Sequence, residues 1–210
     1  MSGRFITFEG TEGGGKSTQI NLLATRLRGQ GRTVRALREP GGTPIGEEIR
    51  HTLQHSSQNQ AMTAEAELLL MNASRAQLVR EVIRPALAAG EIVLCDRFYD
   101  STVAYQGYGR EIDLQLVRTV IDFAVGPTRP DLTILLHVPV EVSESRRKLR
   151  PSAGRDRMEE SDRAFFERVE QGFRAIAAAE PKRVRLIEAT QAIETVHEQI
   201  WKWVTPFLSQ

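Results

Sequence analysis

The sequence predicts an α/β protein of three layers, α/β/α, with a mostly parallel five-stranded sheet held between helices. Three observations predict it. Short apolar or β-branched runs alternate with helical patterns along the chain, as in a parallel sheet joined by right-handed crossovers. The string Gly10-Thr11-Glu12-Gly13-Gly14-Gly15-Lys16-Ser17-Thr18 fits G-x-x-x-x-G-K-[ST] and lies between a strand-type run and a helix. The apolar run Ile92-Val93-Leu94-Cys95 closes on Asp96-Arg97, a strand that ends in an acid. The chain has 210 residues, enough for one good core, so residues 1–210 are expected to form a single domain.

In order, Phe5-Ile6-Thr7-Phe8 reads as the first strand, and Ile20, Leu23, Ala24 and Leu27 recur at helical spacing after the glycine string. Thr33 to Leu37 reads as a second strand, stopped by Arg38-Glu39-Pro40-Gly41-Gly42. A short helix is expected from Thr43 to Leu53. A long one follows from about Thr63 to Arg84, with Pro85 kinking or restarting it and Gly90 marking its end. Ile92 to Cys95 is the third strand. Ser101 to Arg110 is polar, aromatic and punctuated by glycine, so it is expected to lie outside the core. A helix from Asp113 to Val125 ends before Pro127 and Pro130. Leu132 to Val138 is a continuous apolar run typical of a strand buried on both faces. Five arginines fall within the twelve residues from Arg146 to Arg157. Ser161 is expected to cap a helix bearing Phe165, Val169, Phe173 and Ile176. Val184 to Ile187 is the last strand, and Ile193, Val196 and Ile200 face the core from the last helix.

The glycine string carries the chemistry. Without Cβ atoms its backbone can turn N–H groups inward around phosphates, while the helix that begins near Lys16 points its unsatisfied N–H groups and positive dipole end at the same anion. Lys16 adds a point charge, and Ser17 would hold Mg²⁺. Asp96, at the end of its strand, is the carboxylate that orients the metal through its water shell. A chance match to the pattern in a chain this long is roughly a one-in-a-hundred event. The loop leads us to expect a P-loop NTPase fold, in which residues Gly10 through Thr18 would hold the triphosphate.

Composition sets bounds. Basic and acidic residues number 28 and 27, a net charge of +1, which argues against a broad nucleic-acid or anionic-membrane footprint. Only four of the basic residues are lysine, so Lys16 is one of few ammonium groups among many guanidinium forks. The one cysteine, Cys95, excludes an internal disulfide and reads as a small core residue. No apolar run approaches a membrane span, and Glu9 interrupts the only early one, so a soluble cytoplasmic protein is expected. His51 and His55 are four apart, but no glutamate follows His51 and no third ligand is evident, which leaves them solvated rather than metal-binding.

Several strings together resemble the nucleoside monophosphate kinases, and among them the thymidylate kinases. They are Phe8-Glu9-Gly10 leading into the phosphate loop, Arg38-Glu39-Pro40-Gly41-Gly42, Asp96-Arg97, Ser101-Thr102-Val103-Ala104-Tyr105-Gln106-Gly107 and Arg129-Pro130-Asp131-Leu132-Thr133. The resemblance spans nearly the whole chain. It implies transfer of the ATP γ-phosphoryl to dTMP, a lid segment over about 146–157, a helical substrate-binding insertion and a homodimer packed through helices. Lys16 with Mg²⁺ on Ser17 and Asp96 would serve the donor, Arg97 would grip the acceptor phosphate, and Arg38 would assist. In this family the catalytic arginine sits in the phosphate loop or in the lid. Here the loop carries Glu12, so Arg146, Arg147 or Arg150 is expected to supply it, with Arg155 and Arg157 behind. By the same resemblance Arg75 donates to the pyrimidine O4, and Ser101 and Thr102 lie near N3. Tyr105 and Gln106 lie against the sugar, while Glu12 and Glu39 contact the sugar hydroxyl or the metal shell. The family usually stacks an aromatic ring on the base four positions before that arginine, where this chain has Met71. A kinase for another nucleoside monophosphate is the nearer alternative, and a P-loop switch ATPase the more distant one.

Overall fold

The computed structural model describes residues 3–56, 58–148 and 161–208. At its centre lies a five-stranded sheet in the order β2-β3-β1-β4-β5, with every neighbouring pair parallel. The strands are β1 (Arg4–Glu9), β2 (Val34–Arg38), β3 (Ile92–Asp96), β4 (Leu132–His137) and β5 (Val184–Glu188). β4 is buried along its whole length, Thr133 and His137 included, whereas β2 at the edge buries only Val34.

Strand periodicity sorts side chains into two cores. From β1, Phe5 enters one core, packed against α3 (Ala64–Leu78), α6 (Leu114–Val125) and α8 (Arg163–Ala179). Ile6 and Phe8 enter the other, against α1 (Lys16–Gly29) and α9 (Ile193–Leu208). Shorter helices complete the layers: α2 (Pro44–Gln54), α4 (Arg84–Ala88), α5 (Tyr99–Thr102) and α7 (Val140–Lys148). Cys95 is a fully buried free thiol, and His51 and His55 are exposed.

The chain departs from expectation in three places, each with a physical cause. The long helix expected over 63–84 is α3, then a π-helical stretch Val79–Ile83, then α4 with Pro85 in its first turn. Proline offers no N–H and crowds the carbonyl four residues back, and the wider π turn accommodates both. Ser101 to Gln106, expected outside the core, is buried: α5 runs into a second π-helical stretch, Val103–Gly109, seated against α8. Its polar groups are paired inside the protein rather than hydrated. The cap of α8 is Asp162, whose carboxylate accepts from the Phe165 N–H at 2.8 Å, and not Ser161. Asp162 stands at the last non-helical position, the one from which a side chain reaches the third helical N–H.

Candidate active site

The carboxyl ends of the central strands open on a cleft of about 320 Å³. One wall is the glycine loop. Gly10 leaves β1 at φ 126, where a Cβ would stand 2.2 Å from the Leu136 carbonyl oxygen, so no other residue fits. Gly15, at φ 86, is the residue before α1; no side chain caps that helix, and its first turn holds no acid. Nothing stands within 4 Å of where a Gly15 Cβ would be. The start of α1 thus lines the cleft without a side-chain cap, so its unsatisfied N–H groups and the positive end of its dipole are available to an anion. Thr11 Oγ1 is buried there without a partner. Glu12, Gly13, Lys16, Ser17 and Thr18 line the cleft.

Lys16 is 8% exposed, and its ammonium donates to the carbonyl oxygens of Gly10 at 3.0 Å and Thr11 at 2.9 Å. Burial, reinforced by the Arg97 charge, pulls its pKa down to about 8. Such an ammonium gains from any anion that enters. The Ser17 hydroxyl donates to Asp96 Oδ2 at 2.8 Å. A hydroxyl and a carboxylate meeting at the loop are the hard oxygen donors that Mg²⁺ takes, so the residues present fit that ion.

Arg97 follows β3 directly. Its backbone N–H bonds the Phe8 carbonyl at 2.9 Å and its φ is 68, a left-handed conformation that costs a side-chain-bearing residue about 1–3 kcal/mol. That turn aims the guanidinium into the cleft, where it donates to Ser101 Oγ at 2.8 Å, Glu12 Oε1 at 2.5 Å and the Tyr105 hydroxyl at 3.3 Å. Tyr105 in turn donates to Glu12 Oε2 at 2.7 Å. Burial works against the Glu12 charge, but Arg97 and Lys16 outweigh it and hold the carboxyl below its usual range. The chemical content of this cluster is a guanidinium, an ammonium and a carboxylate packed around one point.

Arg75 forms the floor of the far wall. It is 2% exposed and spends its fork on Glu39 Oε2 at 2.7 Å, Asn72 Oδ1 at 3.0 Å, Thr102 Oγ1 at 2.9 Å and the Phe98 carbonyl at 3.2 Å. Met71 lies one turn before it on α3, and both face the cleft. Ser101 donates to Glu9 Oε2 at 2.5 Å, and Gln106 donates to Glu67 Oε1 at 2.7 Å. Arg38 stands at the rim, half-exposed, paired with Glu47 at 2.9 Å. Arg146 is not among the described residues lining the cleft; its Nη1 donates at 2.7 Å to the Gly13 carbonyl of the loop. The side chain of Arg147, and residues Arg150, Arg155 and Arg157, lie outside the described residues.

Glu39 sets up a pH test. Its Oε1 is buried without a partner, and burial pushes its pKa up to about 7 against the pull of Arg75. A carboxyl raised in the folded state binds more protons folded than unfolded between pH 4.5 and about 7, so its contribution to stability falls as pH rises through that window. Glu39→Gln, which cannot ionise, should therefore gain on the wild type in melting temperature from pH 5 to pH 8. A difference that is constant or shrinks would mean that Arg75 holds Glu39 ionised at both pH values.

Sequence reasoning missed Glu9 and Glu67, both fully buried acids that hold cleft residues. Glu9 stood in the string Phe8-Glu9-Gly10, but nothing there showed that it would be buried as the acceptor for the Phe98 N–H and the Ser101 hydroxyl. For Glu67 there was a local signal: with Met71 and Arg75 it falls at i, i+4 and i+8 on α3.

The family model described as "Thymidylate kinase" matches residues 8–200. The chain is 51% identical to the thymidylate kinase of Alcanivorax borkumensis over 200 residues, 95% of each chain. It is 46% identical to that of Exiguobacterium sibiricum over 210 residues, 100% of this chain and 98% of the other. Among solved structures it resembles thymidylate kinase from Ehrlichia chaffeensis, with a TM-score of 0.79 and 35% identity over 98% of this chain and 100% of that one.

Proposed function

The chain belongs to the thymidylate kinase family and transfers the γ-phosphoryl group of ATP to dTMP, giving dTDP in nucleotide biosynthesis; from that premise we propose which of its residues do the work. Two polyanions must meet end to end, so the protein's part is to neutralise charge and to hold the reacting groups in line. The open N-terminus of α1 and the loop from Gly10 to Thr18 hold the ATP phosphates. Lys16 exchanges its two backbone carbonyls for phosphate oxygens. Ser17 and Asp96 hold Mg²⁺, which when bound neutralises phosphate charge. Arg97 grips the acceptor phosphate, with Glu12 fixing its fork and Arg38 assisting from the rim. Met71 covers the base, Arg75 donates to its O4, and Ser101 and Thr102 border it. Tyr105 lies against the sugar, and Glu39 offers its unpartnered oxygen to that side of the cleft. Arg146 and Arg147, at the end of α7, and Arg150 after it in the sequence are the candidates for the guanidinium that steadies the transferring group.

One observation carries this assignment: a single cleft presents an uncapped helix N-terminus with Lys16 on one wall and Arg97, Arg75 and Gln106 on the other. Donor and acceptor walls rise from the same sheet, so residues 1–210 work as one unit. The test is turnover of dTMP, dUMP, UMP and dGMP side by side with MgATP. dTMP should be the best acceptor; ATP consumed equally without any acceptor would sink the reading.

The molecule works as a homodimer through α3 and α6, which expose Leu69, Leu116 and, at 84%, Phe123. Phe123→Glu should shift the protein from dimer to monomer in analytical ultracentrifugation, since a buried unpaired charge opposes association. A wild type that sediments as a monomer at micromolar concentration would refute the assignment. No described helix is long and apolar enough to cross a membrane, and we place the enzyme in the cytoplasm, with dTMP and ATP as its partners.

A further inference from the structure

We infer that Glu67 is a positioning residue: it locks the Gln106 amide with its carbonyl oxygen toward the cleft, where that oxygen accepts the imide N–H of a 2,4-dioxopyrimidine. The inference rests on reading the cleft as the dTMP site, and it moves Gln106 from the sugar to the base.

Three observations combine. Glu67 lies fully buried on the face of α3 that carries Met71 and Arg75, one turn before Met71, so it stands at the end of the wall that the base covers. Gln106, 2% exposed, lines the cleft from the π-helical stretch, and its Nε2 reaches Glu67 Oε1 at 2.7 Å. Arg110 donates to both Glu67 oxygens, at 3.3 and 3.2 Å. A glutamate approached by three donor hydrogens accepts from all of them, so the amide must turn its NH₂ inward. The carbonyl oxygen is then the end left to the cleft, and no donor among the described residues reaches it.

The remaining groups on this wall cannot serve as well. Arg75 has donors only. The Ser101 hydroxyl gives its proton to Glu9 and accepts from Arg97, and Thr102 accepts from Arg75. With the unpartnered Oε1 of Glu39 assigned to the sugar or metal side of the cleft, the base is left a guanidinium donor and one fixed carbonyl acceptor. A carbonyl at C4 beside an N3–H is the complement of that pair. A 4-aminopyrimidine carries a donor at C4 and an acceptor at N3, so both contacts would be inverted, leaving buried polar groups unpaired. The lock matters because a free glutamine amide could rotate to fit either base.

Glu67→Gln removes the lock, since its amide can face Gln106 with either end. With dTMP the expected result is a KM about tenfold higher, or about 1.4 kcal/mol, with kcat within about threefold and an unchanged KM for ATP. With 5-methyl-dCMP, kcat/KM should hold or improve, so selectivity for dTMP falls at least tenfold, as a contact between matched polar groups is worth. The exchange Glu67→Gln with Gln106→Glu returns an acceptor to the cleft and should restore the selectivity; if the single variant does not fold, this double variant carries the test. Parallel changes for the two pyrimidines, a fall in kcat at constant KM, or no restoration by the exchange would reduce Glu67 to a structural residue. A wild type that fails to phosphorylate dTMP would instead remove the parent reading, so the two failures are distinct.

Discussion

Lys16→Met should lower kcat about a thousandfold or more while leaving the protein no less stable than the wild type, because a preorganised charge at the transferring group is worth that much. The two halves of this expectation come from the same geometry. In the free protein the ammonium is buried, faces Arg97 and donates to the Gly10 and Thr11 carbonyls; burial and the Arg97 charge outweigh the pull of Asp96, Glu12 and Glu9, so its pKa falls to about 8. A lysine whose folded pKa is depressed costs folding stability at neutral pH, where it is still protonated, and that cost lifts only between about pH 8 and 10.5. Methionine fills the same volume without the charge. The ammonium is therefore tolerated in the fold for what it does when phosphate arrives. Steady-state kinetics with saturating MgATP and dTMP, beside thermal melts at pH 7, measure both halves. A kcat within tenfold of wild type would remove Lys16 from the chemistry; a large drop in melting temperature would mean that its carbonyl contacts are structural.

The parts of this molecule that were legible in the sequence are those whose physics is local. The phosphate loop is local because backbone conformation at Gly10 and Gly15, and the N–H groups of the helix that follows, need only neighbours in the chain. The strands were legible because a sheet buried on both faces needs unbroken apolar runs, and β4 is such a run from Leu132 to His137 but for Thr133 and His137 itself. Thr133 is admitted because its hydroxyl meets Thr7 at 2.8 Å from the next strand.

The far wall was not legible in the same way. Ser101, Thr102 and Gln106 read as surface because polarity is the usual sign of solvent, yet each is buried by a partner distant in sequence: Glu9, Arg75 and Glu67. Nothing within the string Ser101 to Gly107 states that these partners exist. The π-helical stretch compounds the difficulty, since it shifts side-chain directions away from the 3.6-residue period that pattern reading assumes. Arg97 could be named from its place after Asp96, but its left-handed backbone could not, because only the turn from β3 into α5 demands it.

Arg97→Met is the companion to the lysine replacement, and it should fail on both counts that the lysine variant separates. Without the guanidinium the acceptor phosphate has no forked donor, and kcat/KM for dTMP should fall about a thousandfold, the range found when a preorganised donor or clamp is removed. Stability should also fall, by about 3 kcal/mol, because Glu12 would remain as a largely buried carboxylate without its 2.5 Å partner. Methionine has no easier access to φ 68 than arginine, so backbone strain is the same in both proteins. The two effects have different owners, and a second substitution tells them apart. In Glu12→Gln with Arg97→Met no orphaned charge remains, and the glutamine carbonyl can still accept from Tyr105, whose hydroxyl lies 2.7 Å from Glu12. That double variant should recover most of the melting temperature and none of the activity. Recovery of turnover along with stability would mean that Arg97 acts by holding Glu12 in the fold, and that another cation receives the acceptor phosphate.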